Sequence, residues 1–172
     1  MIMIIKLLYQ CFGENMSEKI TRLINCLLNQ NIEFRHIVFE HTTKTVDEAA
    51  RVANTDPSNI VKTLILVDDK SNIYACIIPG DKRADIGKIK KILGIKNLSL
   101  ASPEQVREKL GYEIGEVPPL CLDNIEKVIV DTTVLTREKI LGGGGSVNSL
   151  IEFSPRALYT YRDKLVIADV AK

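Results

Sequence analysis

The chain has little with which to hold a metal: two histidines and four cysteines in 172 residues, none of them paired at metal-ligand spacing. Cys11, Cys26, Cys76 and Cys121 include no C-x-x-C, so a structural zinc site has no framework, and no other metal or cofactor is demanded. The same spacings do not read as a disulfide scaffold. Cys26 and Cys76 sit in apolar patterns as small buried hydrophobes, and the expected compartment is a reducing cytoplasm. Neither a G-x-S-x-G elbow nor an H-E-x-x-H is present, which leaves serine hydrolases and zinc hydrolases without support. The glycine run is followed by no G-K-[ST], which excludes a phosphate loop of that kind. Charge of one sign is also lacking: at net +1 no global field draws the chain to nucleic acid or membrane, and such binding would need a local patch. The apolar opening MIMIIKLLYQCF covers only residues 1–12, short of a membrane span, and GENMSEK after it offers no signal-peptide cleavage site. Residues 1–16 are expected to be a short extension, or the true start is Met16, with the domain at 17–172.

What is present suits one globular domain, 45% apolar and 26% charged. Residues 17–30 have helical spacing, with Ser17 as cap; EFRHIVF at 33–39 is strand-like. Thr45 and Glu48 form a capping box for a short helix, and NTDPSN at 54–59 is a turn. Strands at 60–67 and 73–79 flank a hairpin loop. Helices are predicted over 84–94, ended by Gly94, and over 102–111, with Ser102 as cap and Pro103 at the first turn. A short strand fits NLSLA, and further strands fit 127–135, 137–141, 149–153 and 164–170, with a Ser-Pro helix start at 154–158. Strands and helices mix without strict alternation. The class is therefore mixed α/β of α+β character, with no repeats and no long linker.

Four segments could carry chemistry. Lys62 opens the apolar run NIVKTLILV, where it either snorkels to solvent or holds a phosphate or substrate group at a cleft rim. In GYEIGEVPP, Gly115 permits close approach and Pro118 and Pro119 stiffen the loop, so its remaining N–H groups could form an oxyanion hole or it could be a plain rigid turn. GGGGSVN, with Gly144, Gly145 and Ser146, is either a flexible lip beside a site or a loose hairpin tip. His41 lies in a loop before the capped helix; His36 lies mid-strand and could be a satisfied core residue.

Taken in order, TVDEAARVANTDPSNIVKTLILV, IIPGDKRADIGKIKKILG, ASPEQVREKLGYEIGEVPP, VIVD and GGGGSVNSLIEFSPRAL resemble the YbaK family, the aminoacyl-tRNA deacylases related to the editing domain of bacterial prolyl-tRNA synthetase. The resemblance covers roughly residues 30–160. It implies a single domain with a curved mixed β-sheet flanked by helices, and hydrolysis of Cys or Ala wrongly esterified to the tRNA for proline. It carries catalytic roles to Lys62, Gly115 and Asp131, and substrate contacts to His41, Pro118, Pro119, Gly144, Gly145 and Ser146. A tRNA-facing set would be Lys82, Arg83, Lys88 and Lys91, which could equally be a solvated helix face. The chain departs from the family in having no histidine in GSVNSL and no glycine after PP, which leaves the amino acid unassigned. Partners implied are mischarged tRNA and prolyl-tRNA synthetase. The alternatives are a module of the same fold that binds aminoacyl-tRNA or a similar ligand without turnover, and a subunit that docks on a synthetase through the N-terminal helix and extension.

Overall fold

The structure is a computed structural model that describes residues 17–172; the expectations for residues 1–16 lie outside the described residues. Helix α1 (Glu18–Asn29) starts where Ser17 accepts from the Ile20 N–H, and buries Ile20, Leu23, Ile24 and Leu27. Strand β1 is Phe34–Val38, and helix α2 (Val46–Val52) has the reciprocal Thr45–Glu48 capping box. Strands β2 (Val61–Asp68) and β3 (Ile73–Pro79) pair antiparallel from Val61↔Pro79 to Val67↔Ile73. Then follow α3 (Ile86–Leu93), β4 (Leu98–Leu100), α4 (Pro103–Leu110), β5 (Val128–Asp131), β6 (Ile140–Gly143), β7 (Ser149–Phe153) and β8 (Leu165–Ala168).

Five strands form a mixed sheet in the order β4-β2-β3-β5-β8, in which β3, β5 and β8 run parallel. Every residue of β3 is buried, because this central strand is covered on both faces. One face, with Ile65, Ile77 and Val130, packs on α1 and α4; the other, with Leu66, Cys76, Ile78 and Ile129, packs on Ile89 of α3. A second, antiparallel sheet has the order β1-β7-β6. The two meet where Ile60, just before β2, bridges Leu141 of β6. The mixed single-domain architecture is the one the motifs imply.

Two strands and one helical segment differ from expectation. The strand sought at 127–135 stops at Asp131, because that side chain accepts from the Thr133 N–H and caps a 3-10 turn over Thr132–Thr136. The next strand begins at Ile140 rather than 137 and runs on through two glycines, Gly142 and Gly143, which pair with Ile151 and Leu150. After Ser154 the chain makes two 3-10 stretches within Pro155–Lys164, broken at Arg162, which has φ +53°.

Two further readings are corrected. Cys26 is not a free buried hydrophobe: it is disulfide-bonded to Cys121, with the Cα atoms 6.1 Å apart. Packing of α1 across the loop before Cys121 brings together cysteines 95 residues apart, a proximity that spacing alone does not encode. The composition-based case for a reducing compartment loses its support with it. Cys76 is buried and free, as expected. The apolar face of α1 is spent on the core, and the extension before it lies outside the described residues. Among the described residues no helix is long and apolar enough to cross a membrane.

Candidate functional site

A cavity of about 290 Å³ opens where the start of β2 meets the residues preceding α2, the Gly-Pro loop and the end of β6. It wraps the strand, so residues from both faces of β2, Lys62 and Thr63, line it. Val46, Ala49, Ile60 and Leu150 form an apolar wall, and Gly115 and Val117 line the loop side.

Lys62 is half-buried and its Nζ donates to the Gly80 carbonyl at 2.9 Å. Burial pulls its pKa below the ordinary lysine value; Asp81 pushes it back up and Arg83 adds to the fall. Among the described residues the lysine makes no ion pair with a carboxylate, and its head is tied to a backbone carbonyl rather than left in bulk water. Beside it, the Thr63 hydroxyl is the one buried side-chain oxygen or nitrogen among the described residues with no hydrogen-bond partner. A buried orphan hydroxyl is costly unless something else satisfies it.

The loop 112–121 is rigid for identifiable reasons. Gly115 has φ +89°, and a Cβ there would lie 2.9 Å from the Lys44 carbonyl oxygen, so only glycine lets the two segments close on each other. Buried Glu116 accepts from Lys19 Nζ at 2.7 Å and from the Glu113 N–H at 3.1 Å. Pro118 and Pro119 are buried behind the cavity rather than lining it; Pro119 packs against Gly142, and its carbonyl accepts from the Tyr161 hydroxyl at 2.9 Å. Neither the Gly115 nor the Val117 N–H finds an acceptor among the described residues.

The glycine run is neither a flexible lip nor a loose tip. Gly143 lines the cavity, and a Cβ on it would collide with the Val117 carbonyl oxygen and come within 2.9 Å of the Glu116 carbonyl oxygen. Gly144 and Gly145 do not line the cavity. Gly144 N–H donates to Ser149 at 3.0 Å, and Gly145 N–H donates to the Glu116 carbonyl at 3.2 Å, tying the glycines to the loop. Ser146 is likewise outside the cavity and bonds Ser149 Oγ at 2.7 Å.

Other expected site residues lie elsewhere. Asp131 is fully buried and does not line the cavity. One of its oxygens accepts from the Thr133 N–H and hydroxyl, the other from the Val170 and Ala171 N–H groups at 2.8 and 2.7 Å. Burial opposes its ionisation, but these four donors outweigh that and hold its pKa below the ordinary value. It ties the C-terminal segment to β5. His41 is exposed and outside the cavity. His36 instead reaches the glycine run, its Nε2 3.0 Å from the Gly144 carbonyl oxygen; burial lowers its pKa and that carbonyl partly restores it.

Lys82, Arg83, Lys88 and Lys91 are all exposed. Lys82 and Arg83 follow Gly80, the partner of Lys62, whereas Lys88 is paired with Asp169 at 2.9 Å. Among the described residues no cluster of three or more His, Cys, Asp or Glu could hold a metal. Val117 and Gly143 lie in the GYEIGEVPP and GGGGSVN segments but are not named there as site residues, and Thr63 and the segment 43–46 are not marked as part of a site. Thr63, a polar residue beside Lys62 in an apolar strand, left a trace in the sequence.

The model of the aminoacyl-tRNA editing domain family matches residues 40–161. The uncharacterized protein YwhH of Bacillus subtilis is 31% identical over 134 residues, which cover 78% of this chain and 85% of that protein. The proline–tRNA ligase of Thermosipho melanesiensis is 28% identical over 114 residues, 66% of this chain but only 20% of the ligase. Among solved structures, a hypothetical protein superposes with TM-score 0.81 at 40% identity, covering 88% of this chain and 99% of that one. Another, described as "a putative trans-editing enzyme for prolyl tRNA synthetase", superposes with TM-score 0.81 at 27% identity, covering 92% and 99%.

Proposed function

The chain belongs to the aminoacyl-tRNA editing domain family, and from that premise we propose that it is a free-standing deacylase. Its reaction is hydrolysis of the ester joining a small amino acid, alanine or cysteine, to the tRNA for proline. The observation that carries the reading is that one cavity is lined by a half-buried lysine, by Thr63, whose hydroxyl has no partner, and by Gly115 and Val117, whose amides have no acceptor among the described residues. A volume of about 290 Å³ with an apolar wall leaves room for an aminoacyl group and its ester.

The ester is already activated, so positioning and charge stabilisation suffice. Water adds to the carbonyl carbon, the negative charge develops on the carbonyl oxygen near the Gly115 and Val117 amides, and the bond to the ribose oxygen breaks. That oxygen leaves as a hydroxyl after taking a proton. Lys62 holds the terminal phosphate or ribose, and Thr63, once its buried hydroxyl turns toward the cavity, hydrogen-bonds the aminoacyl group. Among the described residues no histidine, aspartate or glutamate lines the cavity, so the substrate's own 2′-hydroxyl or amino group orients the water. Lys82, Arg83 and Lys91, with Lys88 where Asp169 releases it, meet the tRNA backbone. The reaction belongs in the cytoplasm, where prolyl-tRNA synthetase generates the substrate and could hand it over. The test is purified protein with Ala-, Cys- and Ser-charged tRNA for proline. Release of Ala or Cys supports the deacylase; protection of the ester without release makes the chain a binding module.

A further inference from the structure

Helix α1 clamps the whole Gly-Pro loop. Lys19 pairs with Glu116 at 2.7 Å, Arg22 donates to the Leu110 carbonyl at 2.9 Å and lies 5.0 Å over the Tyr112 ring, and Cys26 is bonded to Cys121. The first three contacts hold the start and middle of the loop; at its exit, where Cys121 has φ +59°, the disulfide is the covalent restraint, beside the Tyr161 hydroxyl that donates to the Pro119 carbonyl. Between these points lie Gly115 and Val117. The same helix backs the glycine run, with Ile20 and Leu23 about 3.7 Å from where a Gly145 Cβ would be. Both cysteines are half-buried, and Cys121 lines a separate hollow of about 270 Å³ with Arg22, Tyr112, Asp123 and Asn124. This hollow shares no lining residue with the candidate substrate cavity.

We propose that the Cys26–Cys121 bond is a thiol-exchange site through which a dithiol reductant governs the order of the loop, and with it turnover. The effect on turnover rests on the deacylase reading; the exchange chemistry and the effect on loop order do not. A thiolate of the dithiol enters the hollow and attacks Cys121 Sγ, forming a mixed disulfide and expelling the Cys26 thiolate, which takes a proton. The second thiol of the reductant closes on its own sulfur and releases the Cys121 thiolate, also protonated. The dithiol loses two electrons and two protons, and the two cysteines gain them. The bond closes a loop with a sequence separation of 95 residues, so its loss also frees the unfolded chain and lowers the melting temperature by roughly 10 °C. With the loop exit released, the amides that meet the developing charge are less well placed. Because that contact is made in the transition state, turnover falls about three- to tenfold with little change in KM.

The probe is dithiothreitol on the intact folded chain, read by peptide-mapped alkylation, amide hydrogen exchange and single-turnover release from mischarged tRNA. The expected result is that Cys26 and Cys121 become alkylated only after reduction, exchange across 112–120 accelerates at least about tenfold, and turnover falls. Cys26→Ser with Cys121→Ser should reproduce the reduced state and abolish its response to dithiothreitol. Should that variant not fold, the reduced wild type decides alone. Alkylation of both cysteines before reduction, a bond that resists dithiothreitol in the folded protein, or unchanged exchange across 112–120 after full reduction each overturns the proposal. An oxidised protein that releases no amino acid would sink the deacylase reading instead, leaving alkylation and exchange to judge the clamp.

Discussion

Replacing Asp131 by Asn separates a structural carboxylate from a catalytic one. Asn keeps the shape but presents an NH2 where one carboxylate oxygen accepts from two donors. If the amide oxygen faces Thr133, the NH2 meets the Val170 and Ala171 N–H groups, which lose acceptors at 2.8 and 2.7 Å. Hydrogen bonds to a charged group contribute about 1.5–3 kcal/mol each, so a loss of roughly 3 kcal/mol follows after partial relaxation. A chain of 172 residues has an unfolding entropy of about 0.36 kcal/mol/K. The melting temperature should therefore drop by about 8 °C, as followed by circular dichroism. The pH dependence has a definite sign. The folded pKa of Asp131 is depressed, so its contribution is complete above the unfolded value of about 3.9 and is lost as pH falls through the folded value. The gap between wild type and variant should be constant from pH 7 to about pH 5 and close below about pH 4. Turnover per folded molecule, well below the melting temperature, should stay within about twofold of wild type. A variant with an unchanged melting temperature and a hundredfold loss of turnover would refute this assignment and return Asp131 to the chemistry.

Other substitutions probe the cavity itself. Gly143→Ala puts a methyl group into the Val117 and Glu116 carbonyls, so the loop must move; a cost of about 1–3 kcal/mol and at least a tenfold loss of turnover are expected, and wild-type melting and turnover together would contradict the close-approach argument. Thr63→Val removes the orphan hydroxyl at nearly constant shape. Stability should hold or rise by up to about 1 kcal/mol while KM for mischarged tRNA rises severalfold, and an unchanged KM would remove Thr63 from the site. Charge reversal of Lys82 and Arg83 to Glu should weaken tRNA binding and flatten its salt dependence while leaving the melting temperature within about 2 °C; an unaltered salt slope would place the tRNA elsewhere.

Local chemistry made much of the fold legible. Ser17, Thr45 and Ser102 cap the helices they were expected to cap, Gly94 and Gly111 end theirs with positive φ, and β2 and β3 pair as the hairpin their apolar runs indicate. Each of these is decided within a few residues. Failures came where one residue's role depends on distant partners. Asp131 looks like a site carboxylate until Val170 and Ala171 are seen to donate to it. His41 precedes α2 as expected yet faces solvent, while His36 supports the glycine run from across β7. The four glycines read as looseness because the carbonyls that Gly143 and Gly145 meet lie some 25 residues upstream, in the Gly-Pro loop. Cys26 and Cys121 read as unrelated because nothing short of the packing of α1 brings them together. Lys62 and Gly115 could be singled out because each is anomalous in its own segment, a cation in an apolar strand and a glycine before two prolines.

The central claim is that this cavity breaks an aminoacyl ester with Lys62 holding the substrate. Lys62→Ala, compared with wild type in single-turnover release of alanine or cysteine from the mischarged tRNA for proline, tests it most directly, with the melting temperature measured alongside. The account predicts a folded variant whose release rate falls on the order of a hundredfold, about 2.7 kcal/mol of transition-state stabilisation. Release at the wild-type rate by that folded variant would contradict it.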